Sequence, residues 1–161
     1  MYVSSQGTLL RQQDSRISNS ENGVPCSFRK EKLRSATEVE VFDPTPSEAT
    51  ELFLTDFKLM LHKEGIIVKK IEKVTDGKTP VILVCNMATR LEADIDRALS
   101  SVRKTDYSRI VLIALHVKPK HALPQEGSME QLCLQEEKYQ GLRGVVDIAY
   151  TRENRFYNWI L

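Results

Sequence analysis

Apolar residues along this chain come in short blocks of two kinds, and the polar residues between the blocks say which kind each is. Val39, Val41 and Phe42 form a brief extended block ending at Asp43. Thr45-Pro46-Ser47-Glu48 then carries three helix-start signals: Thr45 can cap, Pro46 suits the first turn, and Glu48 completes a capping box. Ala49, Leu52, Phe53, Phe57, Met60 and Leu61 follow at helical spacing, and Gly65 stands where a left-handed cap closes a helix. Ile66 to Ile71 reads as a second strand and Thr75 to Thr79 as a turn. Val81 to Val84 and Ile110 to Val117 are unbroken apolar runs, as expected of central strands covered by helices on both faces. Between them, Thr89-Arg90-Leu91-Glu92 repeats the capping-box pattern and opens a helix with Leu91, Ile95, Ala98, Leu99 and Val102 inward.

Beyond the loop from Lys118 to Gly127, Ser128 to Tyr139 is expected to form a short helix with Met129, Leu132 and Cys133 inward. Val145, Val146, Ile148 and Tyr150 supply a last strand, and Glu153 to Leu161 a closing helix on which Phe156, Trp159 and Ile160 share a face. Strands alternating with helices imply a mostly parallel sheet. The expected fold is therefore α/β: a three-layer, five-stranded, flavodoxin-like sheet over residues 38–161. No helix separates the second and third strands, so either a hairpin sits at one edge or a crossover is shortened. Residues 1–37 show neither period and are rich in Ser, Gln, Asn, Arg and Lys, which reads as a disordered polar tail. Within it, Glu31 interrupts the basic run Arg29 to Arg34, favouring a solvated charge run over a docking signal.

Composition narrows the function classes. The 161 residues suffice for one domain with a real core, and a formal net charge of +1 leaves no excess to hold nucleic acid or an anionic membrane. Three cysteines without short spacing suggest neither a disulfide framework nor a zinc knuckle, which fits a reducing compartment. The first residues lack the apolar core of a signal peptide, and no apolar run approaches the roughly 18 residues that span a bilayer. A cytoplasmic location is expected.

In such a sheet, ligands meet the crevice beyond the carboxyl ends of the strands. That rule nominates Asp43, Asn86, Thr89, Arg90 and His116 as ligand-binding candidates for a nucleotide or nucleoside, with Cys85, Lys118 and His121 nearby. Glycines that would bring a phosphate onto backbone amides are missing from these strand exits, so the common cofactors are not expected. The carboxylate cluster of a phosphoacceptor site is missing too, and the histidines have no metal-ligand spacing. Cys85 and His116 each have an ordinary structural explanation, as a small core residue and as a polar strand end. The acidic run Glu92-Ala93-Asp94-Ile95-Asp96 places Glu92 and Asp96 on one helix flank and Asp94 on the other. These acids could meet a ribose or an oxocarbenium-like centre, or could simply complement the helix dipole, with Asp96 paired to Arg103.

The segment Val81-Ile82-Leu83-Val84-Cys85-Asn86, with Thr89 through Leu99, resembles two related groups of small flavodoxin-like domains. One is the nucleoside deoxyribosyltransferase-like group; the other is the TIR and SEFIR group. In the enzymes of these groups a glutamate on the helix after this strand works on an N-glycosidic bond. By motif its place here falls to Asp96, with Asp94 as the nearest rival, so the resemblance implies these as catalytic candidates. Aspartate is one methylene shorter than glutamate, and Arg90-Leu91-Glu92-Ala93 replaces the glycine-containing approach to the acid. Many TIR-like domains serve as assembly modules. The resemblance thus implies a non-enzymatic interaction or signalling module, with a protein partner or self-association, and as the alternative an N-glycosidase or transferase acting on NAD or a nucleoside.

Overall fold

A computed structural model describes residues 37–133 and 136–160, and within these the side chains of all but Cys133, Glu136 and residues 158–160. The tail expected over residues 1–37 lies outside the described residues except for Thr37. Among the described residues, six strands form one sheet: β1 (Thr37–Phe42), β2 (Ile66–Ile71), β3 (Val81–Asn86), β4 (Ile110–His116), β5 (Gly144–Thr151) and β6 (Arg155–Ile160). Their order is β2-β1-β3-β4-β5-β6, with β6 alone antiparallel. The helices are α1 (Glu48–Lys63), α2 (Leu91–Leu99), α3 (Ser128–Cys133) and α4 (Glu136–Tyr139), with short 3-10 turns at Lys104–Arg109 and Lys120–Ala122.

Alternation along the central strands builds two cores. Leu83, Cys85, Leu112 and Ala114 face Ile95, Ala98 and Leu99 of α2 and Tyr139 of α4. Val41, Val84, Ile113 and Leu115 face Phe53, Leu54 and Phe57 of α1 on the opposite side. This is the three-layer α/β arrangement expected, and the two unbroken apolar runs are adjacent parallel strands, in register from Val81 opposite Ile110 to Asn86 opposite Leu115. Both of their faces are covered, which is why neither alternates in polarity.

Two expectations are corrected at the edges of the sheet. The closing helix expected over Glu153 to Leu161 is replaced by a strand over Arg155–Ile160, so among the described residues the sheet has six strands and not five. Phe156 pairs with Tyr150 across the ladder, and both rings pack edge-on against Phe53. Aromatic cross-strand pairing outweighs the helical spacing that Phe156, Trp159 and Ile160 also satisfy. A hairpin feeds this strand and ends on Arg155 at φ 57°, in the left-handed region, from where its guanidinium reaches Asp56 at 2.6 Å.

The other open question was the connection from β2 to β3, which is a crossover without a helix. Residues 72–80 pass from the carboxyl end of β2 to the amino end of β3, on the far side of β1. Nine residues at about 3.3 Å each outreach a six-residue strand, so an extended chain suffices. Val74 is buried in the core on the α2 side, and buried Arg109 donates to the carbonyl oxygens of Thr75 and Thr79. The same guanidinium meets Asp106 at 3.2 Å and Glu40 at 3.6 Å. Arg109 therefore supplies the donors that this stretch would otherwise find in a helix.

Three local expectations also change. Ser47, not Thr45, caps α1, through a capping box with Thr50. Arg90 is the cap residue of α2 and makes no side-chain bond there, so the expected Thr89 box does not form. The helix from Ser128 to Tyr139 is two short helices; Leu132 is buried, Met129 is 47% exposed, and Cys133 lies outside the described side chains. Among the described residues, no helix is long and apolar enough to cross a membrane.

Candidate functional site

The carboxyl edge of the sheet distributes the nominated residues over separate depressions. Thr89, Asp94 and His116 line one cavity of about 250 Å³, together with Met87, Lys118 and Ser128. Asn86 lines a second, with Ser47, Leu52, Tyr150 and Arg152, on the α1 side. Arg90 and Asp96 line a third, with Glu92 and Gln131. Asp43 lies buried at the end of β1, where one carboxylate oxygen accepts from the Thr45 amide at 3.1 Å. Its other oxygen is buried without a hydrogen-bond partner among the described residues.

The catalytic candidates are both held in struts. Asp96 accepts from the Tyr139 hydroxyl at 3.0 Å and from Lys138, joining α2 to α4; it does not pair with Arg103, which meets Asp76 and Asp106 instead. Burial, and then the adjoining Asp96 carboxylate, push the Tyr139 hydroxyl well above its ordinary pKa, so it stays a donor. Asp94 is only 3% exposed and takes both Thr89 groups: the amide at 2.7 Å and the hydroxyl at 2.8 Å. Arg97 approaches the same carboxylate at 3.5 Å. Asp94 thereby closes the β3–α2 loop onto the first turn of α2, where the helix dipole favours a negative charge.

Ser128 and Asp147, which the rule of strand ends does not nominate, join His116 in a buried polar group. Asp147 sits in the middle of β5, on the α2 side, between Val146 and Ile148. It accepts from the Ser128 amide at 2.8 Å and from the Ser128 hydroxyl at 2.5 Å, and lies 2.7 Å from Nε2 of His116. All three residues are buried. Burial alone would push the Asp147 carboxyl up, but the His116 and Ser128 hydrogen bonds outweigh it and hold the group below the usual carboxylate value. A lone aspartate inside the apolar run Val145 to Tyr150 was the available signal, because a charge there demands partners.

Burial, reinforced by the Asp94 charge, pushes the Cys85 thiol up to about 12, so it is a protonated core residue with no nucleophilic thiolate at neutral pH. Among the described residues, no group of three or more His, Cys, Asp or Glu could hold a metal ion. His116 does not form a hydrolase-type triad with its neighbours either. Asp147 stands between Ser128 and His116, whereas activation of a serine needs the imidazole in that place. No family model matches the chain, and no curated protein matches it.

Proposed function

We propose that this domain is a non-enzymatic interaction module of flavodoxin-like architecture, working by association with a protein partner or with itself. The supporting observation is the commitment of Asp96 to Tyr139 and Lys138: the residue nominated for glycosidic chemistry binds two helices together. A catalytic acid needs a free carboxyl facing a substrate-sized cavity together with its orienting groups. Asp94 fails on the first count, being closed by Thr89, and Asp96 on the second, because among the described residues it lines a depression with Arg90 and Gln131, while His116 and Asn86 line two others. A signalling role in a reducing cytoplasm belongs to the same reading, since TIR-type assembly domains are one of the two groups that the β3–α2 segment resembles.

The test pairs chemistry with assembly. Pure full-length protein is incubated with NAD and with deoxynucleosides, free nicotinamide and base are followed by chromatography, and association is followed by light scattering. The reading expects no release and a mass that rises with concentration or on addition of a partner. Release that disappears in Asp96→Ala, with the fold retained, establishes the N-glycosidase or transferase alternative instead.

A further inference from the structure

The cavity between β3, β4 and α3 has a hydrogen-bonding polarity that can be worked out proton by proton. An ionised carboxylate only accepts, so each hydroxyl bonded to one must spend its single proton there. Thr89 gives its proton to Asp94, and Ser128 gives its proton to Asp147. Both hydroxyls therefore turn only lone pairs to the cavity they line. Gln131, also on its wall, gives one of its two amide N–H groups to the Glu126 carbonyl oxygen and keeps a carbonyl oxygen that can accept. The interior is thus rich in acceptors that are fixed in place by buried carboxylates, and it asks for a ligand rich in donors.

Lys118 is the exception. It lines the same cavity, is half-buried, and has no hydrogen bond or ion pair among the described residues. An ammonium there disfavours an amine as the donor-rich ligand and favours one anionic group beside it. A bare anion does not suit the deeper wall, where Asp94 and Asp147 stand behind the hydroxyls. Met87, Leu91, Leu123 and Pro124 give the cavity an apolar side for a carbon skeleton.

We infer that this cavity binds a small polyhydroxylated molecule carrying one anionic group, of the sugar-phosphate or sugar-acid kind. Its hydroxyls donate to Thr89 and Ser128, and its anion rests at Lys118. The volume of about 250 Å³ suits a ligand of pentose to hexose size. This inference stands on the cavity alone and does not depend on how the domain associates.

The experiment titrates the full chain with ribose, ribose 5-phosphate, gluconate and inorganic phosphate, by calorimetry and by ligand-observed NMR. Saturable binding of ribose 5-phosphate, gluconate or both is expected, and the stronger of the two distinguishes a phosphate from a carboxylate as the natural anion. Ribose is expected to bind roughly tenfold more weakly, as befits loss of one charge-assisted contact. Thr89→Val, which removes the acceptor, is expected to weaken binding by roughly five- to tenfold. Should that variant fail to fold, Lys118→Ala at the cavity wall serves instead and is expected to abolish the advantage of the charged sugars over ribose. The inference is overturned if none of the sugars binds, or if inorganic phosphate binds as well as ribose 5-phosphate. Unchanged affinity in a folded Thr89→Val, or in Lys118→Ala, overturns it equally.

Discussion

At the scale of single residues, the carboxylates on the α2 side of the sheet behave as parts of the frame. Asp147 is the clearest case, because its worth depends on pH in a direction fixed by its partners. Burial works to raise its folded pKa, but the hydrogen bonds with His116 and from Ser128 outweigh it and hold the folded pKa below the unfolded value near 3.8. The sign follows: its contribution is complete above that unfolded value and is lost as pH falls through the lower folded one. Urea unfolding across acid pH is therefore expected to show wild-type stability falling below about pH 4. Asp147→Asn should start about 2 kcal/mol lower at neutral pH and decline less steeply in that window. Equal slopes for the two proteins would show that Asp147 carries no such linkage. A milder effect is expected at the α2–α4 strut, where Tyr139→Phe should cost about 1 kcal/mol in the same assay, the value of one hydrogen bond. A cost near zero would mean that Asp96 is not a strut.

The elements show where patterning along the chain decides structure and where it cannot. Helix α1 and strands β3 and β4 are legible because their patterns are unambiguous: Phe53 and Phe57 recur at helical spacing, while Val81 to Val84 is an unbroken apolar run in which all but Leu83 are β-branched. Strand β6 is not legible from pattern alone because Phe156, Trp159 and Ile160 also fit a helix face, and the deciding partner, Tyr150, lies in another strand. The Asp147 group is illegible for a similar reason, since Ser128, His116 and Asp147 are brought together by the β4–β5 pairing and the placing of α3. The helix-free crossover has no local signal because its support is Arg109, about thirty residues away in sequence from the carbonyls it binds. That support gives a prediction at the element scale. Arg109→Lys keeps a charge but loses the planar fork, and is expected to destabilise by about 2–3 kcal/mol. Hydrogen exchange should then rise over residues 72–80 before it rises in β3. Uniform loss of protection through the whole sheet would contradict a local role.

For the molecule as a whole, the order β2-β1-β3-β4-β5 is that of flavodoxin-like sheets, and the added antiparallel β6 extends one edge. A sheet of this order gathers its loops at one rim, yet here the rim is split into separate depressions whose acids are occupied within the fold. The acids that the sequence nominates for catalysis, Asp94 and Asp96, instead hold parts of the structure together. The N-glycosidase alternative requires Asp96 to leave Tyr139 and Lys138, which would loosen α4 as well.

The central claim is that Asp96 is a structural tie in a module without glycosidic activity. Measuring nicotinamide and base release by wild-type and Asp96→Asn protein, alongside their thermal unfolding, tests it most directly. The account predicts no release from either protein and a lower melting temperature for the variant. Release by the wild type that is abolished in an equally stable variant would contradict it.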